Sequence, residues 1–428
     1  MPAVFPPLFK PLRDPRDPTR IVYPLAGVCF AGLLLFLTRL GARRRMGQLL
    51  RSPAGRKKFK TLFGVEAFPH GDTLGKLAAR LDPAQFQECV CALAERLIRN
   101  KVLYAYRLLD HWFMVAVDGT GMLTFPQRHC PHCLTKTHHG KTIYYHHVLE
   151  AKLVTPNGFA FSLMTEFIEN PGPDATKQDC EIMAFYRLAA RLKKRFPRLP
   201  IGLTMDGLYA GGPTFQLCAD FGWKFIITLK DDDLPAVNAE FEALARLQTE
   251  NQRQLRYRDT NTTHDYRWVD DLSYRDSERR DHRLSVLELR QTVDRGDKGE
   301  LATKFKYVTN LNLKPQNVAT IANQGGRIRW KIENEGFNVQ KNGGFGLEHA
   351  YAQKRNAAKN FYFLLQIAHA LFQLLEKGNL LKKIYSDGVG SQKNLAGFLL
   401  EAWRFALFTA ADLERIQAAA FQVRLDSS

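Results

Sequence analysis

Two short apolar runs in this chain each end in an aspartate. Trp112–Asp118 (WFMVAVD) and Pro200–Asp206 (PIGLTMD) contain almost no polar side chain before the closing acid. Strands that are buried on both faces have continuous apolar sequence, and runs this short are more typical of strands than of helices. The two runs therefore predict central strands of a covered sheet, with Asp118 and Asp206 emerging where the strands end.

The segments around these runs predict the rest of the sheet. Thr142–Val154 and Phe159–Ile168 are rich in β-branched and aromatic residues and flank an Asn-Gly turn, which favours an antiparallel hairpin. Lys177–Phe196 has a helical apolar stripe, and a short helix at Pro213–Phe221 precedes a strand-like run at Trp223–Lys230. This order predicts an α/β (α+β) fold of the ribonuclease-H kind, in which helices flank a mixed sheet.

We expect four regions along the chain. Polar, β-like sequence over 231–324 predicts a mostly β insertion, and the Gly325-Gly326 pair is expected to stop it. Helical periodicity then covers Arg327–Lys341, Leu347–Glu376 and Leu395–Arg424. The predicted regions are a basic helical N-terminal region at 1–105, a ribonuclease-H-like core at 106–230 and 325–385, the insertion at 231–324, and a helical C-terminal region at 386–428.

Positive charge is concentrated near the N-terminus. The chain carries 61 Lys and Arg against 43 Asp and Glu, a net charge of +18, and residues 1–60 hold thirteen of the basic residues and two acids. Such an excess on a globular chain indicates a polyanionic partner, most often nucleic acid, with an acidic membrane surface as the alternative. Seven scattered cysteines do not form a disulfide framework, which indicates a reducing, cytoplasmic setting.

The apolar segment Ile21–Leu37 bears on the choice between these partners. Its length reaches the lower limit for a membrane span, but arginines flank it on both sides and no cleavage site marks a signal peptide. We expect a buried helix here, with a membrane anchor as the alternative. Asp72–Arg99 also has helical apolar spacing, so the first hundred residues predict a basic helical region suited to holding DNA phosphates.

Three acids are the candidates for a metal site. Asp118 and Asp206 would lie on neighbouring strands, and Glu333 is better placed than Glu335 to complete the site from a later helix. Mg²⁺ prefers oxygen ligands, and two such ions roughly 3.5–4 Å apart clamp the attacking and leaving oxygens of a phosphoryl transfer. Because strand-end acids also serve as turn and cap residues, that simpler role stays open for each aspartate alone.

The sequence around each acid resembles a signature region of bacterial insertion-sequence DDE transposases, particularly the IS-four group. The three regions are VDGTGM, LPIGLTMDGLYA and RIRWKIENEGFNVQK, and the likeness spans roughly residues 72–380. The resemblance implies an endonuclease and strand-transfer enzyme with two Mg²⁺ (or Mn²⁺) ions. Such an enzyme cuts double-stranded DNA at the terminal inverted repeats of its own element, joins the 3′-hydroxyls to target DNA, and works as a homodimer on DNA at the nucleoid.

The resemblance also implies DNA contacts near the glutamate. Arg329 and Lys341 are expected to hold backbone phosphates, with Arg327 and Lys331 as further candidates. Trp330 could stack on an extruded base, although an indole here, like that of Trp268, is more often part of a core.

Two positions depart from the Tyr-x2-Arg-x3-Glu-x6-Lys motif of the IS-four group. Gly326 stands in place of the tyrosine, and Gln340 in place of the lysine, with Lys341 one residue later. In that group the motif accompanies a hairpin intermediate. Its incomplete form here leaves the second-strand chemistry open.

A Cys-x2-Cys pair with nearby histidines suggests a second metal site. Cys130 and Cys133 precede His138 and His139, a set of ligands that would fit a structural Zn²⁺. His146 and His147 are adjacent on a predicted strand, so they should face opposite ways and cannot both join one site. The alternative is a polar loop without metal that faces DNA.

Two other classes of protein stay open. One is a DNA-binding protein that derives from a transposase and no longer cleaves, although the presence of all three acids argues against it. The other is a basic protein anchored in a membrane through Ile21–Leu37.

Overall fold

A mixed sheet forms the centre of the molecule in the computed structural model, which describes residues 8–172, 175–381, 388–419 and 423–425. Ten strands of the described chain belong to this sheet, in the order β2-β3-β1-β5-β6-β10-β9-β8-β7, with β4 paired to β3. The strands are β1 Phe113–Phe125, β2 Leu134–His138, β3 Lys141–Val154, β4 Ala160–Ile168, β5 Ile201–Met205, β6 Lys224–Thr228, β7 Gln252–Tyr257, β8 Thr262–Arg275, β9 Asp281–Asp294 and β10 Glu300–Thr309.

Helices precede the sheet, connect its strands and follow it. They are α1 Leu25–Leu37, α2 Pro53–Phe63, α3 Gly71–Arg80, α4 Pro83–Arg99, α5 Glu181–Arg195, α6 Gly212–Phe221, α7 Pro235–Leu247, α8 Val318–Thr320, α9 Val339–Asn342, α10 Arg355–Lys377, α11 Gln392–Phe405 and α12 Ala410–Ala418. Between α8 and α9 the chain stays helical through two wide π turns, so 318–342 forms one irregular helical segment.

The predicted fold class is confirmed. Strand β1 pairs antiparallel with β3 and parallel with β5, and β5 pairs parallel with β6. The predicted hairpin is β3 and β4, and its turn has Gly158 at φ +86, a conformation that favours glycine. Strand β1 differs from the expectation because it does not end at Asp118. It continues to Phe125 along β3, with a bulge between Gly121 and Leu123.

The insertion extends the same sheet. Strand β10 pairs antiparallel with β6 at Thr309 and Ile226, and β9, β8 and β7 follow by antiparallel pairing. Helix α7 was not predicted from the polar sequence of this region. It packs on β8 through its buried residues Val237 and Phe241.

The glycine pair does not stop a secondary-structure element, so that expectation is wrong. Gly325 and Gly326 lie inside the 318–342 helical segment and are buried. A Cβ atom on Gly325 would collide with Ile226, and one on Gly326 would lie 2.5 Å from the ring of Tyr307. The glycines are needed because the segment packs directly against β6 and β10.

The N-terminal helices share a core with α10. Helix α1 is buried over most of its length, and the space beside Gly32 is filled by Leu364 and Leu74. The buried-helix interpretation of this segment is confirmed, and none of the helices in the described ranges has the length and apolarity required to cross a bilayer. The predicted helix Asp72–Arg99 is two helices, because Pro83 begins α4 after the Asp82 cap.

Candidate active site

Asp118 lies within β1, and Asp206 directly follows the adjacent parallel strand β5. Ala116 of β1 pairs with Thr204 of β5, and extending this register by two residues sets Asp118 opposite Asp206. The Asp118 carboxylate accepts a hydrogen bond from the amide of Gly119 (2.9 Å). The Asp206 carboxylate caps the following helical turn by accepting from the amide of Leu208 (3.0 Å). Both side chains are therefore held by backbone donors just beyond the point where the parallel β1–β5 pairing ends.

Glu333 lies on the 318–342 helical segment and is connected to Asp118 through Arg329. Nη1 of Arg329 lies 2.7 Å from Oε1 of Glu333 and 3.5 Å from Oδ2 of Asp118. The four-residue spacing places Arg329 and Glu333 on one helical face. Of the three side chains, that of Arg329 is the most buried (12% exposed), followed by that of Asp118 (19%) and that of Glu333 (42%). One guanidinium thus joins the first and third acids of the predicted triad.

The charge around Asp118 is unbalanced. Burial raises the pKa of its carboxyl group to about 7, and the negative charges of Glu333 and Glu181 add to this, while Arg329 and the amide of Gly119 act in the opposite direction. An additional cation would favour the ionised carboxylate. The site therefore has oxygen donors of the kind that hard divalent cations prefer, together with an excess of negative charge.

Sequence reasoning missed three residues beside the acids. The hydroxyl of Tyr209 donates to Oε1 of Glu181 (2.7 Å), and Nε2 of His147 lies 3.8 Å from Oε2 of the same carboxylate. A Cβ on Gly119 would lie 2.5 Å from Glu181 and 2.6 Å from His147, so a glycine after Asp118 leaves room for both. Burial raises the pKa of Glu181, but the nearby His147 and the hydrogen bond from Tyr209 outweigh it, and the net pKa is below its ordinary value.

Glu335, the local rival of Glu333, points elsewhere. Its carboxylate lies 3.3 Å from Nζ of Lys331 and 3.4 Å from Nζ of Lys377. Lys377 also donates to the carbonyl of Gly158 in the β3–β4 turn. The contacts of Glu335 therefore join the helical segment to α10 and the β3–β4 turn, and they do not include Asp118.

The residues predicted to contact DNA have different surroundings. Trp330 is 51% exposed, and the guanidinium of Arg329 lies 5.5 Å from its ring centre. Arg327 lies over the ring of Phe305 at 5.0 Å, and Lys341 is ion-paired with Glu348 at 2.8 Å. Trp268, in contrast, is buried in the core of the insertion.

The two motif departures also have structural explanations. The ring of Tyr307 on β10 fills the space beside Gly326, so a tyrosine could not be accommodated at that position. Gln340 is fully buried and donates to Gln366 (2.9 Å), while Lys341 reaches the surface one residue later.

The Cys and His side chains that lie close together are not the full set predicted from the sequence. Among the described residues, Cys130, Cys133 and His146 form the one group of three Cys, His, Asp or Glu side chains whose ligand atoms lie within 4.8 Å of one another. The triad carboxylates do not form so tight a group. His139 lies in the β2–β3 turn, outside this group, and the side chain of His138 lies outside the described residues.

A family model described as "Transposase DDE domain" matches residues 115–371. The match begins in β1, contains all three acids and the insertion, and ends in α10. No match was found among curated proteins.

Proposed function

The chain belongs to the transposase family defined by the DDE domain, and we propose that Asp118, Asp206 and Glu333 are the carboxylates with which it cleaves DNA. Transposase function, DNA as the partner and a general use of divalent metal ions follow from membership in the family. The observation that carries the assignment of residues is the guanidinium of Arg329, which contacts both Asp118 and Glu333 although they are distant in sequence.

The acids suit Mg²⁺ or Mn²⁺, and we propose two ions. Asp118, Asp206 and Glu333 would hold them. Bound there, the ions would activate water or a 3′-hydroxyl as the nucleophile and stabilise the departing oxygen. The raised pKa of Asp118 and the excess of acids around it support a site that needs added positive charge.

The surrounding side chains position the acids and the DNA. Arg329 keeps Asp118 and Glu333 together, and Tyr209 and His147 hold Glu181 beside Gly119. Arg327, Lys331 and Lys341 would contact backbone phosphates. The exposed indole of Trp330 would stack on a base displaced near the cleavage point, an interaction worth roughly 1–3 kcal/mol.

We further propose the cut-and-paste route of the IS-four group. The protein would cut the terminal inverted repeats of an insertion sequence and join the 3′-hydroxyls to target DNA, as a homodimer on paired ends. The N-terminal region at 1–105 would bind the repeats, the core at 106–230 and 325–385 would cleave, and the regions 231–324 and 386–428 would be the insertion and a helical C-terminal part. The concentration of basic residues in 1–60 supports the first of these roles.

The proposal is tested with a labelled duplex that carries the repeat ends flanking this coding sequence. Wild type should nick the repeat end only when Mg²⁺ or Mn²⁺ is present, and Asp118→Asn should bind the same duplex in a gel shift without nicking it. Binding without nicking by wild type in either metal would favour the alternative function, a DNA-binding protein that no longer cleaves.

A further inference from the structure

A cluster of two cysteines and a histidine lies apart from the three candidate acids. We propose that Cys130, Cys133 and His146 bind a structural Zn²⁺ that fixes the loop after β1 to strand β3. This site differs from the acids in both ligand chemistry and position, so it can be tested independently of DNA cleavage.

The spacing of the three ligand atoms fits a tetrahedral ion. The two sulfurs are 3.5 Å apart, and Nε2 of His146 lies 3.4 Å from Sγ of Cys130 and 3.5 Å from Sγ of Cys133. Zn–S bonds of about 2.3 Å and Zn–N bonds of about 2.0–2.1 Å at tetrahedral angles separate ligand atoms by about 3.5–3.8 Å. The observed triangle is therefore close to one face of such a coordination shell.

The fold brings the ligands together from two segments. Cys130 and Cys133 bracket a tight turn, in which the amide of Cys133 donates to the carbonyl of Cys130 (3.4 Å). His146 lies on β3 opposite Leu123. As strand alternation predicted, His147 faces the other way, towards Glu181. An ion at His146 would thus fix the strand position next to a residue of the candidate active site.

Hydrogen bonds hold the loop in place around the cluster. Nδ1 of His132 is 2.8 Å from the carbonyl oxygen of Asn170, and the amide of Asn170 donates to the carbonyl of His132. The Asn170 side chain donates to the carbonyl of Cys133 (2.9 Å). Support of this kind is typical of metal-binding loops, whose ligands are oriented by outer hydrogen bonds. A water molecule or an imidazole of the loop would supply the fourth ligand.

Two thiolates with an imidazole indicate zinc rather than magnesium. Hard cations prefer oxygen donors, whereas sulfur and nitrogen ligands in a tetrahedral arrangement are typical of Zn²⁺. A disulfide between Cys130 and Cys133 would account for the two sulfurs, but it would give no role to His146, which approaches both sulfurs at equal range. The imidazole therefore favours a metal.

Metal content of the purified full-length protein tests the site. Wild type should hold about one zinc per chain, and Cys133→Ser and His146→Gln should each hold less than about one fifth of that. Cys180→Ser and His111→Gln are the matched controls, because they remove a thiol and an imidazole outside the cluster, and both should keep the zinc. Wild type that is folded and remains without zinc after incubation with the ion would overturn the proposal.

A second measurement covers the case in which the ligand variants do not fold. Wild type substituted with Co²⁺ should show thiolate-to-metal charge-transfer bands and the intense visible bands of a tetrahedral ion. His146→Cys should keep the metal and strengthen the charge-transfer bands, because a third thiolate replaces the imidazole. A cobalt spectrum without thiolate bands would contradict the proposed ligand set.

Discussion

The carboxyl group of Asp118 experiences opposing influences. Burial and the nearby carboxylates of Glu333 and Glu181 disfavour its charge, whereas Arg329 and the amide of Gly119 favour it. Ionisation of a buried acid in these surroundings lowers the stability of the folded protein. Binding of a cation beside the carboxylate would offset this loss. The structure therefore places a destabilising charge at the position where the proposed metal chemistry needs it.

The first prediction concerns the stability of the metal-free protein. The pKa of Asp118 rises from 3.8 to about 7 on folding, so its contribution to stability falls as the pH rises from about 4 to 7 and stays low above that. Asp118→Asn should therefore stabilise the metal-free protein at pH 8 by about 1–4 kcal/mol and much less at pH 4. Urea unfolding in EDTA at the two pH values measures this. Equal effects at both pH values would contradict the raised pKa.

The second prediction concerns Arg329. Because its guanidinium lowers the pKa of Asp118, Arg329→Met should raise that pKa and move the acidic limb of the cleavage profile to higher pH. The rate at pH 7 should therefore fall, because a larger fraction of Asp118 would be protonated at that pH. Arg329→Lys, which keeps the charge, should shift the limb less. Weaker DNA binding with an unchanged pH profile would show that Arg329 serves only to hold phosphate.

The sequence contains the signal for some site residues and not for others. Asp118 and Asp206 close apolar runs, and the resemblance to the transposase motif pointed to Arg329 and Glu333, so the sequence was sufficient to name all four as candidates. His147, Glu181 and Tyr209 come from a strand, a helix and a turn, and only the packing around Gly119 brings them together. Strand alternation predicted that His146 and His147 point to opposite faces of the sheet. It could not show which residues each imidazole contacts.

At the scale of elements, the 318–342 helical segment carries Glu333 and packs directly on the sheet. Its two π turns widen the backbone at Ile321–Gly326 and at Ile332–Asn338, the second of which contains the glutamate. π turns are rare and frequently occur at functional sites. Because glycine is a poor helix former, the sequence pattern predicted that the helix would not include Gly325 and Gly326. The pattern could not show that β6 and β10 leave no room for a Cβ atom at these positions.

The third prediction tests this close packing. Gly326→Ala should destabilise the protein by roughly 1–3 kcal/mol, because the added methyl group would overlap the ring of Tyr307. Gly397→Ala in α11 is the matched control. Its Cβ would contact nothing within 4 Å, so this variant should be neutral or stabilising by up to about 1 kcal/mol. Equal effects of the two substitutions in urea unfolding would contradict the packing explanation.

At the scale of the whole molecule, one sheet extends from the catalytic core through the insertion. Strands β1, β3, β4, β5 and β6 were predictable, because each has its own apolar or β-branched run, whereas the short polar β2 (LTKTH) was not predicted. The pairing of β10 with β6 was not predictable, since it joins residues that are distant in sequence and β-rich polar sequence carries no partner information. The apolar sequence of α1 had indicated a buried helix, but it could not show that α10, which is distant in sequence, is the helix that α1 packs against.

The fourth prediction concerns the positive charge of the N-terminal region. Arg56 and Lys57 are exposed on α2, whereas the neighbouring Lys58 is buried and donates to the carbonyls of Ala402 and Trp403. If α2 contacts DNA, replacing Arg56 and Lys57 together by Gln should weaken binding and reduce the slope of log K against log salt by up to about 2. The same change at the exposed Arg295 and Lys298 of the insertion is the control. Equal losses in the two double variants would show that binding is not concentrated at the N-terminus.

The central claim is that Asp118, Asp206 and Glu333 form one metal-dependent cleavage site. The most direct test compares Glu333→Gln with Glu335→Gln on a labelled repeat-end duplex in Mg²⁺, because the two acids are neighbours in sequence and contact different partners. We predict that nicking by Glu333→Gln falls by at least about 100-fold with DNA binding retained, while Glu335→Gln stays within about threefold of wild type. Nicking that survives Glu333→Gln and is lost in Glu335→Gln would contradict the account.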